Sequence, residues 1–185
     1  RQLTASGLDN SPVLSPDQSL VVFSRKGTKQ IAAGACCEGD PPLADQLWKV
    51  SIDGSDEILL IRERENVDPR QVLTKFNSKQ FSSDGSKLFF LTPAWATSDA
   101  LHVFNFKSGQ TSFVQPAGSF HLLSQCEDPN YRDHLIINQH RYFVFGGSYD
   151  WYWLYKPSGQ EVGPIGETLD PINEKCGLAL KGSTF

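Results

Sequence analysis

The chain has 185 residues, 39% of them hydrophobic and 21% charged, with a formal charge of -4 at neutral pH. That apolar content excludes a disordered chain. The lack of a run of ~20 apolar residues excludes a membrane-spanning helix, and the acidic balance argues against a nucleic-acid partner. The length fits a single domain over 1–185, large enough to bury a core without a metal or disulfide staple.

No position is methionine, and the chain opens at Arg1. The expectation is a removed leader or a trimmed end, with export following from the former. Strand signals then dominate. A first block has them at 11–14, 19–25, 46–52 and 57–62, carried by Leu20, Val21, Val22 and Phe23 and then by Leu47, Trp48, Val50 and Ile52. Between the second and third strand lies a long connection from 26 to 45. Its middle is apolar (Ile31, Ala32, Ala33, Cys36, Cys37), which predicts a cap over one end or a partner contact. Residues 62–70 allow at most one helical turn. No stretch holds a sustained helical period.

A second block has strand signals at 77–82, 86–91, 100–106 and 110–115. A third has them at 133–138, 141–146, 151–156 and 160–165, with 119–125 as an extra or first strand. Alternation puts Trp151, Trp153 and Tyr155 on one face and Tyr152 on the other. Segments 1–5 and 167–185 are left over. Residues 2–4 are expected to pair as a strand with 172–181, hiding a sheet edge.

The blocks repeat. Ser15-Pro16-Asp17-Gln18-Ser19 before one apolar run matches Ser82-Ser83-Asp84-Gly85-Ser86 before another, with Asn138-Gln139-His140 as a weaker third copy. Hairpin turns recur at Asp53-Gly54, Ser108-Gly109 and Ser158-Gly159, where the backbone favours residues tolerant of positive φ. Four short strands recurring about every 40–50 residues are the signature of propeller blades. The fold class expected is all-β and propeller-like. It has about three four-stranded antiparallel blades, near 10–62, 77–115 and 119–166.

The two Ser-x-Asp turns, with Leu47-Trp48-Lys49-Val50 and Asp53-Gly54, resemble the TolB-type propeller repeat, also called the PD40 or WD40-like repeat. The third block departs from it, carrying Gln139-His140 where Asp-Gly stands in the repeat. By blade count and size the chain is also similar to three-bladed periplasmic immunity proteins that neutralise peptidoglycan amidases of type VI secretion. That resemblance implies that the loop 92–99 plugs the enzyme's active site, with Ser98 as the nearest match to the contacting serine.

Searches for chemistry return little. There is no G-x-S-x-G elbow, phosphate loop, H-E-x-x-H or EF-hand. Neither a cofactor nor a metal site is expected. Asp53-Gly54-Ser55-Asp56-Glu57 reads as a solvated turn rather than a calcium loop. The segment 125–134 gathers Cys126, three carboxylates and His134, so a Cys–His nucleophile and base is one reading. A polar insertion with Cys126 in a disulfide is the other and is favoured. Four cysteines allow three pairings. A bridge between Cys126 and Cys176 would close a long loop, and four reduced buried thiols are the alternative. His102 and His121 read as structural.

The function expected is a non-catalytic module that binds another protein through loops at one end. Trp95, flanked by alanines, is the aromatic anchor. Thr97, Ser98 and Asp99 follow it, and Tyr149 and Asp150 stand in a second turn. The specific form is a periplasmic inhibitor of a cell-wall-degrading enzyme. The rivals are a propeller fragment serving a larger hydrolase or TolB-like scaffold, and self-association of two half-propellers.

Overall fold

In chain order, the strands are laid down as three successive meanders. The computed structural model describes residues 2–31 and 43–182. Blade one is β1 (Asp9–Leu14), β2 (Leu20–Gln30), β3 (Leu43–Ser51) and β4 (Ile58–Ile61). Blade two is β5 (Asn77–Phe81), β6 (Lys87–Thr92), β7 (Asp99–Asn105) and β8 (Gln110–Ala117). Blade three is β9 (Ser119–Leu122), β10 (Leu135–Tyr142), β11 (Ser148–Tyr155) and β12 (Glu161–Gly166), followed by one helix, α1 (Asp170–Cys176). Within each four-stranded sheet, consecutive strands pair antiparallel. The all-β, three-blade architecture is as expected.

The turns explain the regularity. In the β1–β2 turn, Asp17 Oδ1 accepts from the Ser15 hydroxyl at 2.6 Å and from the Ser19 backbone N–H at 3.1 Å, while Ser15 Oγ accepts from Leu20 N–H. The β5–β6 turn repeats this atom for atom with Asp84, Ser82, Ser86 and Lys87. The three X-Gly hairpins adopt positive φ at Gly54, Gly109 and Gly159, as the turn geometry requires.

Alternation then sends every second side chain to each neighbouring blade. Val22 and Leu47 of blade one meet Leu88, Phe90 and Phe104 of blade two. The other face of blade two, with Phe89, Leu91 and Leu101, meets Leu135, Ile137, Trp153 and Tyr155 of blade three. The far face of blade three, with Ile136, Tyr152 and Leu154, is covered by Leu169, Ile172 and Cys176 of the helical segment. The far face of blade one carries Phe23, Trp48 and Val50. Arg25 stacks on Phe23 and Trp48 there, bonding Asp9 and Glu57, and residues 2–4 line a groove over it.

Three expectations need correction. First, 141–146 is not a strand. β10 runs on to Tyr142, which pairs with Ser148, so 143–147 must turn, and Gly146 and Gly147 supply φ of 100° and 86°. The weak third repeat, 138–140, accordingly lies in mid-strand. Second, residues 2–4 do not pair with 172–181. Asp170–Cys176 is a helix with Pro171 in its first turn. Gly177 closes it in the left-handed conformation, its N–H bonding Asn173 O. Third, the connection from 26 to 45 is shorter than it looked, because β2 extends through Gln30 and β3 begins at Leu43. Its apolar middle with Cys36 and Cys37 lies outside the described residues. The one helical turn allowed near 62–70 does form, at the end of that segment over Pro69–Gln71, where the Asp68 carboxylate accepts from Arg70 N–H.

Candidate functional site

Blades two and three place the hairpins between their second and third strands at one end of the stack, where β2 ends and β3 begins in blade one. The loop 92–99 of blade two, the hairpin 142–148 of blade three and the start of β3 therefore share one end, together with the connection 62–76. This end gathers the residues expected from the sequence to contact a partner, Trp95, Thr97, Ser98, Asp99, Tyr149 and Asp150.

The loop 92–99 is pinned by a turn in which Trp95 N–H donates to Ser98 O at 2.9 Å. Its residues diverge from there. Trp95 leans edge-on against Phe113 at 6.2 Å between ring centroids, and Phe113 in turn meets His102. Phe113 and His102 face blade one, so Trp95 turns that way, beside a cleft of about 460 Å³ lined by Arg64, Arg70, His102 and Phe113. Trp95 remains 38% exposed. Thr97 is exposed at the apex. Ser98 turns the opposite way, toward blade three. It lines a second cleft of about 300 Å³ with Gln115, Pro116, Gln139, Arg141, Tyr155 and Glu161. Asp99 begins β7, paired with Ala117, and burial raises its carboxyl pKa.

The floor of the second cleft is a closed polar network. Arg141 bonds Gln139 Oε1 and Glu161 Oε2, each at 2.6 Å, and the Tyr155 hydroxyl at 2.9 Å. Its guanidinium lies 3.4 Å from the centroid of the Trp153 ring. Burial, then the hydrogen bond to Glu161, pushes the Tyr155 hydroxyl up to about 12. The bond from Arg141 holds the Glu161 carboxyl below its usual range. At neutral pH the tyrosine thus keeps its proton and the glutamate its charge.

Tyr149 and Asp150 open β11 close by. Tyr149 packs against Phe143 at 4.6 Å and Trp151 at 5.0 Å, and Asp150 meets His140 Nδ1 at 3.0 Å. Cys126 and Cys176 lie elsewhere, on the outer face of blade three, and are joined as a disulfide. Cys126 is therefore no free thiol for His134. Among the described residues no cluster of His, Cys, Asp and Glu is arranged to hold a metal ion.

No protein-family model and no curated protein matches the chain. Solved structures do. The chain is similar to the β-propeller domain of the Trilobed protease from Pyrococcus furiosus, with a TM-score of 0.54 and 11% identity over 87% of this chain and 44% of that one. It is similar to TolB from Acinetobacter baumannii at 0.55 and 11%, over 90% of this chain and 34% of that one. Dipeptidyl peptidase 4 from Porphyromonas gingivalis matches at 0.51 and 12%, over 88% and 25%. The fold is that of a β-propeller. The likeness is one of fold, and the chain spans less than half the length of each of these structures. The propeller arc here comprises three blades among the described residues, whose helix is too short to cross a membrane.

Sequence reasoning missed the most exposed feature of this end among the described residues. Tyr142, Phe143, Val144 and Phe145 form the β10–β11 hairpin tip, exposed to 72%, 55%, 92% and 101%. The signal was the Gly146-Gly147 pair after an apolar run, which marks a turn rather than a strand interior.

Proposed function

We propose that this propeller arc is a non-catalytic module that binds another protein through the end carrying Trp95, Thr97, Ser98, Asp99, Tyr149 and Asp150. The observation that carries this reading is the pair of loops, 92–99 and 142–148, which raise aromatic side chains over two clefts whose charged groups are largely paired. Rigid sheets presenting exposed aromatics suit recognition. The fixed protonation states around Arg141 and the bonded Cys126 favour binding over catalysis.

The finer form is an inhibitor in an oxidising compartment such as the periplasm, where the Cys126–Cys176 bridge would persist. It would occlude the cleft of a cell-wall-degrading amidase. In that form Trp95, Ala96 and Thr97 enter first, because Ser98 is half-buried at the cleft mouth. A second reading, an accessory propeller piece of a larger hydrolase, draws on the protease propeller among the similar folds. Against it stands the cover on both outer faces, Arg25 with residues 2–4 on blade one and α1 on blade three.

The test is affinity capture from periplasmic extract with the wild-type protein and with Trp95→Ala, each capture quantified by mass spectrometry. A partner held by the former and lost by the latter supports the reading. Equal retention of every protein by both sinks it. Assay of the purified captured enzyme with added protein then reads inhibition directly.

A further inference from the structure

Resting on the binding reading above, we propose that the β10–β11 hairpin tip is a preformed plug that inserts into an apolar cleft of the partner protein. Four consecutive large apolar side chains stand at this tip. Val144 and Phe145 at its apex are almost wholly in water. Such a cluster on a folded surface marks an interaction site.

The tip is held in shape before any partner arrives. Phe143 N–H donates to Gly147 O at 3.0 Å, and Gly146 N–H donates to Phe143 O at 3.1 Å. Phe143 rests on Tyr149, and Tyr142 meets the His140 ring edge-on at 5.0 Å. Strands of eight residues each carry the hairpin, in unbroken register from Leu135 with Tyr155 to Tyr142 with Ser148. A rigid apolar tip loses little conformational entropy on insertion.

Shape and charge choose the occupant. The tip is convex, so it needs a concave apolar receptor, and a second tip would leave most of it wet. The clefts of this chain at the same end are lined by Arg64, Arg70, Arg141 and Glu161. The apolar groove on blade one, about 180 Å³, is too small for four such side chains. Among the described residues, a second copy therefore offers a poor receptor. An anionic lipid surface is disfavoured as well. The chain carries a net charge of -4, and the polar groups flanking the tip bond one another, Asp150 with His140 and Arg141 with Glu161, rather than forming a basic cluster. Paired polar groups around an apolar centre are the plan of a protein interface.

The test places a benzophenone photo-crosslinking residue at position 145, with position 52 at the opposite end as control, in the full chain. Crosslinking is carried out in periplasmic extract, and the protein caught is purified and titrated by calorimetry. The expectation is a heterologous protein caught from 145 and not from 52. Phe145→Ser and Val144→Ser should each weaken its binding by about tenfold or more without moving the melting temperature. Flotation of wild-type protein, but not of Phe145→Ser, with phosphatidylcholine–phosphatidylglycerol vesicles overturns the proposal in favour of a lipid surface. A crosslink solely to a second copy, or none at 145, also overturns it. If Trp95→Ala abolishes binding while both tip variants bind normally, the plug is wrong and the binding reading stands. If neither loop matters, both fall.

Discussion

Gln18 and Gly85 occupy the same corner of two matching turns, with φ of 59° and 70°. Each follows an aspartate, Asp17 or Asp84, that gathers hydroxyl and N–H donors from serines on either side. The left-handed conformation costs a glutamine roughly 1 kcal/mol and a glycine nothing. Gln18→Gly is therefore expected to stabilise the protein by about 0.5–1 kcal/mol, and Gly85→Gln to destabilise it by about 1 kcal/mol. The added Cβ at position 85 has room, 3.6 Å from Pro16 Cδ, so the backbone term decides. Urea unfolding of both variants checks this, and a shift of the same sign in both refutes it.

His102 is buried between Phe90 and Phe113, and its Nε2 has no hydrogen-bond partner. Burial, then the charge on Arg64, lowers its pKa to about 4. The unfolded chain takes up this proton first, near pH 6.5. Stability from this site is thus complete above pH 6.5 and falls as the pH drops toward 4, by about 3 kcal/mol in all. His102→Phe keeps the aromatic packing and removes the proton. Its melting temperature should decline less between pH 6.5 and 4 than that of the wild type. Parallel declines in the two proteins contradict the assignment.

The Cys126–Cys176 bridge clasps α1 to the outer face of blade three across a sequence separation of 50 residues. Closing a loop of that length stabilises a fold by about 4 kcal/mol in the chain-entropy model. Reduction should lower the melting temperature and loosen the cover on Ile136, Tyr152 and Leu154, raising the binding of a hydrophobic dye. The double variant Cys126→Ala/Cys176→Ala should reproduce the reduced protein and ignore reductant. An unchanged melting temperature on reduction would count against the clasp.

Ser98 sits at the mouth of the cleft formed with Arg141 and Glu161. Ser98→Arg adds bulk and a second cation there, at a half-buried site away from the apolar core. The expected result is loss of the partner complex in calorimetry with the thermal midpoint unmoved. Binding equal to that of the wild type would refute a contact role for this loop.

Much of the blade architecture was legible because its causes are local. Asp17 and Asp84 bond to residues within two positions of themselves, and the X-Gly corners need only their own backbone, so these turns are visible as short words. Strands such as 87–91, apolar on both faces, announce burial between two sheets. Helix α1 was not legible. Seven residues cannot hold a helix by propensity, and its stability comes from Leu169, Ile172 and Cys176 docking on blade three and from the bridge. The spacing of those three positions is helical, but too short to stand out.

The amino-acid sequence by itself determined the strand content, the repeated turns and hence a three-blade arc, since period-two burial and turn chemistry act over a few residues. Only the tertiary structure decided where the chemistry of its surface falls. Pairing of Tyr142 with Ser148 turned an apolar run into an exposed tip, and packing between blades sent Trp95 and Ser98 of one loop into different clefts. Those outcomes depend on contacts between residues far apart along the chain, which no local pattern encodes.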